Sequence, residues 1–185
     1  MKIDIETGIL DTARYVPSPN CNARPAGTDL ALIIVHAISL PPGEFGGPWI
    51  DRLFTNDLPA DAHDYFREIR SLQVSCHLLI RRDGELVQYV PFHARAWHAG
   101  ESEYEGRKGC NDFAVGIELE GCDEEPYEKA QYELLVHVVR TLIAAYPSLS
   151  PEHIVGHCDV APGRKTDPGP AFDWKRFRSL LESSL

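Results

Sequence analysis

The run Ala31-Leu32-Ile33-Ile34-Val35 carries no polar side chain over five positions and then closes on His36, shortly before Pro41-Pro42-Gly43. An apolar run this short and this rich in β-branched residues reads as a buried strand. Ser39 to Pro48, dense in Pro and Gly, reads as a long irregular loop, and loops of that kind often carry function. The whole stretch from Ser39 to about Ser71 borders the histidine, and part of it is expected to move when substrate enters.

The rest of the chain supplies the partners such a strand needs. Cys76 to Arg82 and Glu85 to Val90 read as two strands joined by a tight Asp83-Gly84 turn. Phe113 to Leu119 is a further strand with Val115, Ile117 and Leu119 on one face and Gly116, Glu118 and Glu120 on the other. Pro126 to Tyr146 places Leu134, Leu135, Val138, Val139, Leu142 and Ile143 at helical spacing and predicts the longest helix, which covers the sheet. Ile154-Val155-Gly156 reads as a short extended piece leading into His157, and Phe172 to Leu185 as a closing amphipathic helix. The order is mixed α/β, and 185 residues without repeat or linker predict one domain over 1–185.

Composition excludes several functions. A formal net charge of −10 argues against nucleic-acid binding, which rests on Lys and Arg displacing counterions. No apolar segment is long enough to span a bilayer. The opening Met1-Lys2-Ile3-Asp4-Ile5-Glu6 has acids where a secretory signal carries basic and then apolar residues, so a cytoplasmic location is expected. The five cysteines form no C-x-x-C pair and read as free thiols in a reducing compartment. The expected partner is a small soluble substrate, and the expected state a monomer.

The segment His157-Cys158-Asp159-Val160-Ala161-Pro162-Gly163-Arg164-Lys165-Thr166-Asp167-Pro168-Gly169-Pro170 is too polar to be core, so its side chains need another use. Two histidines and one carboxylate, His36, His157 and Asp167, make a ligand set for zinc that leaves one position open for water. With one ligand charge the site stays positive and brings the pKa of water down to about 7. Amide hydrolysis also needs a base and a group to hold the oxyanion, and Glu118 and Lys165 suit those roles. Each residue has a plainer reading as well. Lone histidines are mostly surface or core residues, Asp-Pro-Gly is a common turn, and Glu118 and Glu120 share a strand face, so spacing does not choose between them.

Read together, the motifs His36 to Pro48, Val74-Ser75-Cys76-His77, Ile80-Arg81-Arg82-Asp83-Gly84, Ala96-Trp97-His98-Ala99-Gly100, Cys110-Asn111-Asp112-Phe113, Gly116 to Gly121 and His157 to Pro170 resemble the type 2 N-acetylmuramoyl-L-alanine amidases. Within them the likeness is to the cytoplasmic group that acts on 1,6-anhydro-muropeptides in cell-wall recycling. The resemblance spans nearly the whole chain. It implies a mixed central sheet flanked by helices, related to the peptidoglycan recognition proteins. It also implies a Zn2+ site of His36, His157 and Asp167, with Glu118 as general base and Lys165 stabilising the tetrahedral intermediate. In bacteria with an inducible β-lactamase, it implies a lowered inducing signal.

Three positions depart from the family pattern: Ala37 for Asn, Gln73 for Arg and Gly109 for Arg. The lost arginines would hold a peptide carboxylate through paired hydrogen bonds, a role that Arg107 or Lys108 is placed to take. His77, His98 and Trp97 are further candidates for contact with sugar or peptide, each with a structural reading beside it. The altered positions motivate a second hypothesis, a muropeptide-binding sensor with weak or no catalysis. A third is an envelope amidase acting on intact peptidoglycan.

Overall fold

The computed structural model describes residues 1–183. In chain order the elements are β1 (Ile3–Asp4), β2 (Ile9–Leu10), β3 (Arg14–Tyr15), β4 (Cys21–Ala23), β5 (Leu32–Ile38), α1 (Trp49–Phe54), α2 (Asp64–Ile69), β6 (Leu78–Ile80), β7 (Leu86–Gln88) and β8 (Ala94–Ala96). They continue with β9 (Glu103–Tyr104), β10 (Arg107–Lys108), a 3-10 turn (Cys110–Asp112), β11 (Ala114–Glu120), α3 (Lys129–Ala145), β12 (Ile154–Gly156), α4 (His157–Val160) and α5 (Trp174–Glu182).

Six of the strands form one mixed sheet in the order β12-β5-β11-β6-β7-β3. β5 runs parallel to both β12 and β11, β11 runs parallel to β6, and only the β6–β7 pair is antiparallel. Alternation of side chains along β5 and β11 sends Ile33, Val35, Val115, Ile117 and Leu119 to one face. There they pack with Leu135, Val138, Val139 and Leu142 of α3 and Phe177 of α5. The opposite face of the same two strands carries Leu32, Ile34 and Ala114 against Val160. Leu79 and Val87 meet Ile50, Leu53, Phe54 and Phe66 from α1 and α2. The apolar run is therefore covered on both sides, and each such buried side chain contributes roughly 1.5–3 kcal/mol.

The boundaries differ from expectation for physical reasons. β5 continues through Ile38, because its in-register pairing with β11 runs from Leu32↔Ala114 to Ile38↔Glu120. His36 thus lies inside the strand rather than at its end. The hairpin strands are shorter than predicted and the connection is longer. Arg81 N–H donates to the Glu85 carbonyl (2.9 Å), Gly84 N–H to the Arg81 carbonyl (3.0 Å), and Gly84 takes φ +87°, so three residues make the turn. The stretch from Ser39 to Ser71 is not one loop, since α1 and α2 form where their apolar residues reach β6 and β7. α3 begins behind Glu128, whose backbone N–H donates to Gln131 Oε1 (3.0 Å). α5 begins behind Asp173, whose carboxylate caps Arg176 N–H (2.9 Å). The last two residues of the predicted closing helix, Ser184 and Leu185, lie outside the described residues. No helix is long and apolar enough to cross a membrane among the described residues.

Candidate active site

Two neighbouring strands and one return loop bring the chemistry together. The parallel register sets Glu118 of β11 directly beside His36 of β5, about 4.8 Å away along the hydrogen-bonding direction. Paired residues in a parallel ladder point the same way, so both side chains leave the face opposite α3. β12, on the other side of β5, delivers His157 at the start of α4. The chain then turns back, and Cys158 N–H donates to the Asp167 carbonyl (3.0 Å), fixing the far end of the loop against its beginning.

His36 Nδ1, His157 Nδ1 and Asp167 Oδ2 form a triangle with sides of 3.0, 3.2 and 3.0 Å. Atoms 2.0–2.1 Å from a tetrahedral zinc stand roughly 3.3 Å apart, which this triangle approaches. The outer ring nitrogens agree with it. His157 Nε2 lies 3.1 Å from the Ala99 carbonyl oxygen, which only accepts, so Nε2 carries a proton and Nδ1 is the nitrogen turned toward the triangle. Burial pushes the His36 imidazole down to about 4 against the pull of Asp167, so the ring is neutral at pH 7, as a ligand must be. Burial alone would raise the Asp167 carboxyl. The hydrogen bonds to His157 and His36 outweigh it and hold the group below the usual carboxylate range. Two imidazole nitrogens and a carboxylate oxygen on one small triangle suit a divalent cation, whose binding displaces the protons they share.

A cleft of about 680 Å³ opens over this cluster, with Glu118 and Lys165 in its wall beside the three ligands and Leu53, Tyr65 and Leu72 forming an apolar flank. Glu118 is buried, and its Oε2 has no hydrogen-bond partner among the described residues. Burial raises its pKa well above the ordinary glutamate value, Asp167 adds to the rise, and the positive charge of Lys165 opposes it.

Glu120, two residues on, lies in different surroundings. Its carboxylate accepts from Arg81 Nη1 (3.1 Å) and from the backbone N–H groups of Gly46 (2.7 Å) and Arg82 (3.2 Å). It ties the 39–48 loop to the β6–β7 turn and is fully engaged. Glu120→Ala is expected to lower stability by about 3 kcal/mol, because it leaves the buried Arg81 guanidinium short of a partner. Urea unfolding checks this.

The remaining sequence candidates other than His98 are not brought to the cleft. His77 is fully buried, accepts the Gly116 N–H at Nδ1 (3.0 Å) and lies 2.9 Å from the Arg24 guanidinium, so it braces the sheet. Trp97 donates its indole N–H to Asn22 of β4 (2.8 Å), the strand paired with β8. Arg107 stacks its guanidinium 3.8 Å over the Phe113 ring. Lys108 is exposed on the β9–β10 hairpin, at a smaller hollow shared with Glu101 and Arg164. Gln73 is exposed, and Ala37 lines the cleft.

Gly109 has φ +72°, a left-handed conformation at the start of the 3-10 turn. Gly109→Arg is therefore expected to cost about 1–2 kcal/mol, readable as a lower urea midpoint, rather than simply to supply a cation. Of the two histidines weighed as pocket walls, His77 and His98, the structure brings His98 to the cleft. It sits against His36 inside the cluster.

The model of the N-acetylmuramoyl-L-alanine amidase family matches residues 26–170. The chain is 60% identical over 179 residues to the 1,6-anhydro-N-acetylmuramyl-L-alanine amidase AmpD of Salmonella typhimurium (strain SL1344), covering 97% of this chain and 95% of that one. A crystal structure of a selenomethionine AmpD derivative overlays with a TM-score of 0.94 at 57% identity, over 98% of this chain and 99% of that chain. The E. coli amidase AmiD, in complex with the substrate anhydro-N-acetylmuramic acid-L-Ala-D-γ-Glu-L-Lys, overlays with a TM-score of 0.60 at 28% identity, over 85% of this chain and 60% of that chain.

Proposed function

Because this chain belongs to the N-acetylmuramoyl-L-alanine amidase family, we propose that it is a zinc-dependent recycling enzyme. It hydrolyses the amide between the lactyl group of 1,6-anhydro-N-acetylmuramic acid and the L-alanine of soluble muropeptides. The observation that carries this reading is the ligand triangle of His36, His157 and Asp167 with Glu118 in register beside it. When bound, zinc supplies Lewis acidity toward water and a carbonyl oxygen, and a positive charge that favours the ionised form of Glu118.

Glu118 takes the proton of the water that attacks the lactyl carbonyl. The Lys165 ammonium, which lines the same cleft, holds the negative charge that develops on the carbonyl oxygen. Glu118 then returns the proton to the nitrogen of L-alanine as the C–N bond breaks. The leaving group departs as a neutral amine, and free peptide and anhydro-muramyl sugar result. The apolar flank of the cleft suits the sugar ring. The protein acts as a cytoplasmic monomer, and where a β-lactamase is inducible by muropeptides, its turnover lowers that signal.

The test is mass-spectrometric turnover of anhydro-muramyl tripeptide beside its non-anhydro counterpart by zinc-loaded protein. Cleavage at the lactyl–alanine bond, faster for the anhydro form, is expected. Binding of the tripeptide without cleavage would replace the enzyme by a muropeptide sensor, and cleavage of whole sacculi would move its substrate to the envelope.

A further inference from the structure

His36 Nε2 lies 3.0 Å from His98 Nδ1, and this contact decides more than packing. A ligand nitrogen must carry a lone pair, so a metal on His36 Nδ1 requires the ring proton on Nε2. That N–H then donates to His98 Nδ1, which must be the unprotonated nitrogen of its own ring. The His98 proton is thereby forced onto Nε2, and His98 Nε2 is buried without a hydrogen-bond partner among the described residues. A buried donor left unmade costs about 1–3 kcal/mol. The fold tolerates that cost at a position it builds around the ring.

The construction is visible on three sides of His98. A Cβ at Gly116 would come within 2.5 Å of the His98 ring, so β11 must carry glycine where the ring lies against it. Asn111 Oδ1 accepts the backbone N–H groups of both His98 (3.1 Å) and Ala99 (2.8 Å), which fixes the segment. The ring also meets His77 edge to face at 5.6 Å. His157 reaches the same outcome by the ordinary route, with its outer N–H on the Ala99 carbonyl. Ala99 follows His98 directly in the chain, so one short segment governs the outer nitrogen of both histidines.

We propose that His98 is a positioning residue of the metal site. As the hydrogen-bond acceptor for His36 Nε2–H, it fixes the tautomer and ring angle that present His36 Nδ1 to the cation. The inference rests on the zinc reading of the ligand triangle. Residues that hold the outer nitrogen of a ligating histidine typically control 10–100-fold in metal affinity.

Zinc affinity measured by competition with a chelating indicator tests it, in wild type, His98→Phe and His98→Asn. Phe keeps the ring and removes the acceptor, whereas Asn puts an accepting oxygen close to the place of Nδ1. The expected result is a zinc Kd roughly 10–100-fold weaker in the Phe variant, with most of the loss recovered in the Asn variant. Because His98→Phe also removes a buried ring nitrogen that has no partner among the described residues, the metal-free protein is expected to unfold at a temperature no lower than wild type. Should His98→Phe fail to fold, His98→Ala, which overfills nothing, takes its place in the affinity comparison. An unchanged Kd in the acceptor-less variant, or an Asn variant as weak as it, would overturn the assignment. Wild-type protein that binds no zinc would overturn the metal reading itself, which is a separate outcome.

Discussion

Asp167→Ala, loaded with zinc under the same conditions as wild type, is expected to lose turnover of anhydro-muramyl tripeptide by about 10³-fold or more. Mass spectrometry of the products measures it, and elemental analysis of the same sample reports zinc per chain. The reason lies in charge as well as geometry. Asp167 is the one anionic member of the triangle, and its Oδ2 stands 3.2 Å from His36 Nδ1 and 3.0 Å from His157 Nδ1. Without it two neutral imidazoles remain, too few to hold a catalytic zinc, which keeps three protein ligands. A variant that retained both full zinc content and wild-type turnover would remove Asp167 from the centre.

The second large effect separates chemistry from binding. Glu118→Gln is expected to lower kcat by about 10²–10⁴-fold while leaving KM and zinc content near wild type, because the amide keeps the shape of the side chain and loses only its ability to take a proton. The same substitution should act on metal-free protein in the opposite sense. Burial first, and the Asp167 charge second, raise the Glu118 pKa in the folded state above 4.5. The stability that goes with a protonated Glu118 is therefore present in full below pH 4.5 and lost as pH rises through the higher folded value. The Gln variant has nothing to ionise. Its stability advantage over wild type in chelator-treated samples should grow from acid toward neutral pH, as followed by thermal unfolding. A constant difference across that range would show that Glu118 is not the buried acid described here.

Much of the fold could be read from periodicity. The apolar run at 31–35, the two faces of Phe113 to Leu119 and the helical spacing from Leu134 to Ile143 each reflect burial, and burial is what patterning records. The short helices α1 and α2 were hidden because Pro and Gly around them mask two turns of helix. What stabilises those turns is their contact with β6 and β7, which no local signal reports. At the candidate site the residue types pointed toward a metal. The choice between Glu118 and Glu120 could not be read, because both occupy the same strand face and only Arg81, Arg82 and Gly46, all outside that strand, distinguish their environments. That Arg107, Lys108, Trp97 and His77 do not line the cleft could not be read for a similar reason. Their positions depend on stacking and backbone contacts made at long range.

The pairing of His36 with Glu118 joins two segments about eighty positions apart in sequence, so the loop between them must close before the two side chains can meet. Parallel pairing over that distance is slow to form compared with the local hairpin of β6 and β7. His157 and Asp167, by contrast, share one short return loop and can approach each other early. A newly made chain would thus acquire part of its metal-binding character before its central ladder, but no hydrolytic competence. The reacting geometry comes into being only when β5 has taken its register with both β11 and β12. A chain caught short of that point is inert toward muropeptides rather than indiscriminate.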